Sequence, residues 1–472
     1  MLSTLTYVHV LAFVLLVAFL TYVVAILVPF VRRSRTVPGD ASAYEWHFFV
    51  PCLNEELVIG QTLDRFVRDF PDAHVWIVDD DSDDATAAIV AARAARDGRV
   101  HLVSRKRPDA RKGKGEALNA AYRALGQHLA GRDVVSDRVI VGVLDADGEL
   151  VPGALELMAA TDVFGNARVG AAQASVAMNN AGIDLHTSGP GWERAAKNLW
   201  SRWLLRCQDI EFRTTIAAMQ TLRLRTSSSG MGGNGQFTRL SALDAIAATY
   251  GEPWHGALLE DYELGIHAIL VGYETRYVHD AVVRQEALPS MRAYLRQRTR
   301  WSQGGMQCAR YIPEIFSSRN FTNAAALEST YFLLIPWTGL VGVFLWPLVG
   351  MSVVADGAAN FDSIVEWAQF VWWLWPLTIL TGILPFVIWA FVYRVTDDPG
   401  AGLLRTTARG LGYWLYTYAT YPVLLRALGR VVRGRSGWEK TNRVGAQGAP
   451  VTAQPAVATP VEHRQPSLEI AA

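Results

Sequence analysis

Residues 5–31, LTYVHVLAFVLLVAFLTYVVAILVPFV, contain no formal charge. A bilayer crossing needs about 20 apolar residues, so this run can span a membrane, and every later segment must be placed relative to it. A cleaved export signal has a basic stretch, a shorter apolar core and a small-x-small site, and this segment has none of them. It reads as an uncleaved transmembrane helix. Arg32, Arg33 and Arg35 follow it directly, and the positive-inside rule then puts the next segment in the cytoplasm. Residues 331–355 and 367–393 are likewise uncharged and long enough to span. Their link carries Asp356, Asp362 and Glu366 but no Lys or Arg, which suits an outer loop. The stretch 410–425, GLGYWLYTYATYPVLL, is short, contains Pro422 and has arginines on both sides. An interfacial or re-entrant helix is predicted there, with a third span in this region as the alternative.

Charge and cysteine usage narrow the class. The 44 Lys and Arg balance 44 Asp and Glu, so no nucleic-acid partner is indicated. Mean hydropathy is positive, +0.14, and the excess sits in the terminal and C-terminal apolar runs. Cys52, Cys207 and Cys308 show no CxxC or paired spacing, so free thiols in a reducing compartment are expected. The chain divides into an N-terminal span (1–35), a cytoplasmic domain (36–322), a C-terminal membrane region (323–443) and a tail (444–472) of Ala, Pro, Gln and Val that reads as disordered.

The cytoplasmic segment alternates. Short apolar runs at 46–50, 74–78, 100–103 and 138–144 are separated by helical patterns at 55–70, 84–96 and 115–130. That alternation predicts an α/β domain with a parallel sheet covered on both faces. Ligands bind such sheets at the carboxyl ends of the strands. There the sequence places Pro51 to Glu56, the acidic run Asp79 to Asp84, and Asp145-Ala-Asp147. Carboxylates that close repel unless a cation lies among them, and a hard divalent ion, Mg²⁺ or Mn²⁺, suits all-oxygen ligands. Asp83 and Asp84 fit better as helix-capping residues.

Neither GxGxxG nor GxxxxGK[ST] occurs, which disfavours dinucleotide enzymes and P-loop ATPases. Lys112 and Lys114 stand among glycines ahead of a helix, an arrangement that suits a phosphate. The run 227–240 is glycine-rich, and Glu260 and Asp261 interrupt an apolar, helical stretch. Gln297, Arg300 and Trp301 share one face of a helix, while Arg296 and Arg298 read as headgroup contacts.

Together and in this order, the strand-end acids, DxD, the Glu-Asp pair and Q-x-x-R-W resemble the membrane-embedded family 2 glycosyltransferases of the processive kind, the cellulose, hyaluronan, chitin and poly-N-acetylglucosamine synthases. The resemblance implies a GT-A nucleotide-binding domain flanked by transmembrane helices. It implies that Pro51, Asn54 and Glu55 line the nucleoside pocket, that Asp79 and Asp80 contact uracil and ribose, and that Lys114 and Asn119 lie near the diphosphate. It further implies that Asp145 and Asp147 bind the metal, that Asp261, paired with Glu260, is the general base, that Arg300 holds the diphosphate, and that Gln297 and Trp301 serve the acceptor. The implied reaction is inverting transfer from a UDP-sugar to a growing β-linked polysaccharide, by a multi-pass protein of the cell membrane with its catalytic domain in the cytoplasm. The few spans weaken the case for a self-contained translocation channel unless the protein forms a homo-oligomer or has an accessory export subunit, and they fit a lipid-glycosylating enzyme well. Glucosylceramide-type enzymes, which add one or a few sugars to a lipid, resemble the same motifs and give the alternative reading. The sequence departs from the family pattern in having Leu-Leu-Glu-Asp where many members have Thr-Glu-Asp.

Overall fold

The structure, a computed structural model, describes residues 4–372 and 374–435; the tail expected to be disordered lies outside them. Strands β1 (Glu45–Cys52), β2 (His74–Asp80), β3 (Val100–Arg105) and β4 (Val139–Val143) run parallel. Helices Ile59–Asp69, Thr86–Ala94 and Lys114–Leu129 connect them, as the alternation predicts. β1 shows why the apolar runs carry no polar alternation. Trp46, Phe48 and Val50 pack with Ile59, Leu63 and Phe66 on one side of the sheet. Phe49, between them, packs with Leu118, Ala121 and Leu125 on the other. Both faces are dry, so both must be apolar.

The second half of the sheet differs from the parallel arrangement expected. β5 (Glu149–Leu150), β6 (Val169–Met178), β7 (Gln236–Arg239) and β8 (Glu274–Gln285) complete eight strands in the order β3-β2-β1-β4-β7-β6-β8-β5. β7 runs antiparallel to β4 and β6, and β5 antiparallel to β8, so the sheet is mixed. With only four residues β7 carries no readable period, and β6 is mostly small residues.

Three helices among the described residues are long and apolar enough to cross a membrane: Thr6–Val31, Asn323–Asn360 and Pro376–Thr396. The second runs unbroken through Asp356, which the charge pattern had placed in a loop; Asn360 donates to the Asp356 carboxylate at 2.9 Å near its end. The third contains a π-helical turn at Ile379–Ile383. Residues 410–425 are not one helix. Leu403–Thr417 and Thr420–Val432 meet at Tyr418-Ala419, and Pro422 falls in the first turn of the second helix, where its missing N–H costs least. At 15 and 13 residues both are shorter than the about 20 a crossing needs.

One buried and one half-buried ion pair join the sheet domain to the helices that follow. Arg223, on helix Ala217–Leu224, donates to Glu328 at 2.8 Å, and Tyr22 of the first helix donates to the other Glu328 oxygen at 2.9 Å. Arg298, on helix Met291–Cys308, forms a two-pronged pair with Glu211 at 2.9 and 2.6 Å, and Tyr416 also donates to Glu211. Arg298 is therefore committed inside the protein, not to lipid headgroups as its sequence setting suggested. Each carboxylate accepts from two donors, which offsets the desolvation of the charges.

The same Met291–Cys308 helix touches the turn before Glu260. Gln307 accepts from the Leu258 amide at 2.9 Å, and a Cβ on Gly304 would lie 2.6 Å from the Leu259 nitrogen. A Cβ on neighbouring Gly305 would meet only Pro336, at 3.6 Å. Gly304→Ala should therefore cost about 1–3 kcal/mol through overpacking, whereas Gly305→Ala should be nearly neutral. Thermal unfolding of both variants in detergent checks this, and equal melting temperatures would refute the close contact.

Candidate active site

The carboxyl ends of β1, β2 and β4 meet at one rim of the sheet, with Cys52 in register with Asp79. Beyond β1 the chain turns through Asn54, whose φ is +54°. Its backbone N–H donates to Ser82 Oγ at 2.9 Å, and its Oδ1 accepts from the Asp83 N–H at 2.8 Å. Glu55 is buried, and its amide donates to Thr86 Oγ1 at 2.8 Å. Pro51, Asn54 and Glu55 thus form one wall with the 81–86 turn. Asp84 accepts from the Thr86 amide at 2.9 Å, but it lies one residue ahead of the N-cap, Ala85, so it is not the capping residue expected. Asp83 instead pairs with Arg111 at 2.6 Å.

The adjacent acids Asp79 and Asp80 separate in role. Asp79 is fully buried; one oxygen accepts from the Ser82 amide at 3.3 Å, while the other has no hydrogen-bond partner among the described residues. A buried acceptor without a donor is costly, and a ligand hydroxyl or N–H would satisfy it. Asp80 is bound to Arg105 at 2.5 Å and to the Arg111 amide at 3.0 Å. It braces β2 against β3 and the loop that follows. Asn119 is likewise occupied. Its side chain exchanges two hydrogen bonds with the Trp254 backbone, at 2.8 and 3.1 Å, and so fixes the segment leading to Glu260.

Lys114 opens its helix and donates to Asp145 Oδ1 at 2.7 Å. Glu260 and Asp261 begin helix Glu260–Leu270 on the other side of the lysine. Burial works against the Lys114 charge, but Asp145, Glu260 and Asp261 outweigh it and raise its pKa. Both acids of the pair are also raised, by burial first. For Glu260 the charge of Asp261 adds to this, and Lys114 and Arg300 oppose it. For Asp261 the principal opposing group is Lys114. The glycine-rich run 227–240 closes over these groups. Gly233 sits at φ +72°, and a Cβ there would fall 2.5 Å from Asp261 Oδ2 and 3.3 Å from Lys114 Nζ. Only glycine fits the backbone angle and the space together.

Asp147 Oδ2 accepts from the Glu286 amide at 3.3 Å. Asp145 is steadied by Asn234, whose Oδ1 accepts from the Asp145 amide at 3.2 Å and whose Nδ2 donates to Gln285 at 2.7 Å. Gln173 fixes the same loop, accepting from the Gly232 amide and donating to the Asn234 carbonyl, both at 2.8 Å. Sequence reasoning missed Asn234, Gln173 and Gln285; the only signal was the glycine run around Asn234. Gln297, Arg300 and Trp301 lie on helix Met291–Cys308; Arg300 is near enough to Glu260 to oppose its raised pKa, while Trp301 packs with Phe212 and the Arg298 guanidinium, which lies 4.5 Å from the centre of its ring. The donor set suits a hard divalent cation. Asp145 and Asp147 offer carboxylate oxygens, and the charge of Asp145 is felt at Asp261.

Comparison with known proteins gives the family. The chain is 32% identical over 282 residues to a beta-monoglucosyldiacylglycerol synthase of Synechocystis, across 58% of this chain and 50% of that protein. It is 27% identical over 266 residues to the enzyme of the same name from Trichormus variabilis, covering 56% and 49%. A probable glycosyltransferase, YdaM, of Bacillus subtilis is 25% identical over 259 residues, 54% of each. The chain thus spans about half the length of the curated relatives it matches. Among solved structures, the mannosyltransferase PcManGT of Pyrobaculum calidifontis, in complex with GDP-Man and Mn²⁺, superposes with a TM-score of 0.53 at 16% identity, covering 91% of this chain and 98% of that one. That likeness shows a shared GT-A-like fold. Residues 45–304, more than half of the chain, match the family described as Glycosyltransferase like family 2, and the chain is a glycosyltransferase belonging to that family.

Proposed function

We propose that this enzyme transfers one or a few sugars from a UDP-sugar to the hydroxyl of a membrane lipid, with inversion at the anomeric carbon. The observation that carries the chemistry is the half-buried carboxylate of Asp261, raised in pKa by burial and set within a cluster containing Lys114 and Asp145. A base of that kind is suited to taking a proton from an alcohol. The acceptor O–H gives its proton to Asp261, the new O–C1 bond forms, and the C1–O bond to the diphosphate breaks on the opposite face. Glu260 keeps the pocket acidic beside the base. Asp79, with its unsatisfied oxygen, and the wall of Pro51, Asn54 and Glu55 bind the nucleoside. Lys114 and Arg300 bear the charge of the departing diphosphate, and Gln297 and Trp301 line the acceptor side. Asp80 and Asn119 act by positioning. Asp145 and Asp147 would hold a Mg²⁺ or Mn²⁺ ion, which when bound neutralises the diphosphate.

A lipid acceptor is supported over a polysaccharide by the relatives named beta-monoglucosyldiacylglycerol synthases, which also suggest glucose as the sugar and a diacylglycerol-like acceptor. Three helices able to cross a membrane, packed beside the sheet domain, would bring such an acceptor to the site. The reaction then takes place on the cytoplasmic face of a multi-pass membrane protein.

Asp261→Asn should lower turnover by roughly 10²–10⁴-fold while leaving UDP binding intact; calorimetry with UDP beside a nucleotide-release assay reads both, and retained turnover would remove Asp261 as the base. Detergent-solubilised protein given UDP-glucose, a divalent ion and diacylglycerol should yield a single low-mass glycolipid on thin-layer chromatography. A product excluded from a sizing column would instead establish a polymerase.

A further inference from the structure

At the end of the sheet opposite the acids, three histidines converge. His74 is the first residue of β2, His101 the second of β3, and His128 lies in the last turn of helix Lys114–Leu129. One ring nitrogen from each lies within 4.8 Å of the others. His74 Nδ1 and His101 Nε2 are hydrogen-bonded at 3.0 Å, one ring donating and the other accepting, a contact that a shared ion would replace. That spacing is near the ~3.3 Å edge of a tetrahedron built on Zn–N bonds of about 2.0–2.1 Å. The three imidazoles come from three different elements.

Neighbouring rings fix the orientation. Trp76 lies flat against His101, with centroids 3.9 Å apart and planes 13° from parallel. His47 stacks on His74 at 5.1 Å and is itself committed, with Nε2 against Glu45 at 3.0 Å and Nδ1 accepting from the Trp76 indole at 3.1 Å. His47 and Trp76 therefore pack against the His74 and His101 rings and limit their rotation. His74, His101 and His128 are each half-buried, which leaves a fourth position open to solvent. Imidazole donors select zinc and its transition-metal neighbours over Mg²⁺.

We propose that His74, His101 and His128 form a Zn²⁺-class metal site, separate from the strand-end acids, that clamps the far end of the helix carrying Lys114 to the edge of the sheet. The site stands independently of the proposed glycolipid activity, because its test reads metal and stability.

Full-length protein is purified in detergent through a tag free of histidine, stripped with chelator, loaded with Zn²⁺ and desalted. Wild type should retain about one zinc per chain, as a single site requires, and zinc should raise its melting temperature reversibly with EDTA. His101→Ala/His128→Ala should retain at least about tenfold less zinc and lose the thermal shift. His128→Gln, altered only at the partly exposed helix end, should do the same and guards against misfolding of the double variant. Asp145→Asn/Asp147→Asn should keep the zinc. Equal retention by wild type and the His variants, or retention by neither, overturns the proposal, as does loss of the zinc in the Asp variant.

Discussion

One charge arrangement organises the site: a single lysine amid three carboxylates. Lys114 holds Asp145 at 2.7 Å and feels Glu260 and Asp261. Those three acids come from the end of β4 and from the first turn of a helix far along the chain. Without the lysine the carboxylates would repel across a confined space. With it they remain in excess of their local cation, which leaves the pocket prepared for more positive charge. The helix start also helps, since its dipole favours acids in the first turn. The loop through Gly233 is drawn in so closely that a side chain there would collide with Asp261. Gln173, Asn234 and Gln285 are then needed to hold that loop in place.

The site is also tied to the long apolar helices. Met291–Cys308 carries Arg300 and Trp301, touches the turn before Glu260 through Gly304 and Gln307, and anchors Arg298 on Glu211 and thereby on Tyr416. Arg223, Glu328 and Tyr22 make a second tie, reaching two of the helices able to cross a membrane. Arg223 lies 5.9 Å from the centre of the Tyr262 ring, next to Asp261 in sequence.

Much of this was legible in the sequence, for physical reasons that also mark where legibility ended. The parallel strands β1 to β4 announced themselves because both faces are buried, and the polar residues at their ends stood out against that background. Asp145, Asp147, Glu260 and Asp261 could be found because acids rarely interrupt apolar runs without cause. That Arg105 and the Trp254 backbone engage Asp80 and Asn119 could not be read, because those partners are distant in the chain or belong to no pattern. The mixed half of the sheet escaped because β7 is too short and β6 too rich in alanine to show a period. Arg298 looked like a headgroup contact because Glu211 lies 87 residues away. The choice between polymer and glycolipid never lay in the motifs, which serve both.

The central claim is that the acids around Lys114 and at Asp147 are a metal and diphosphate site. Electron paramagnetic resonance of Mn²⁺ titrated into the protein with UDP tests it most directly. The account predicts a bound-Mn²⁺ signal that needs UDP for full intensity and that Asp147→Asn removes while the fold persists. An unchanged signal in Asp147→Asn, or no bound Mn²⁺ in wild type with UDP present, would contradict it.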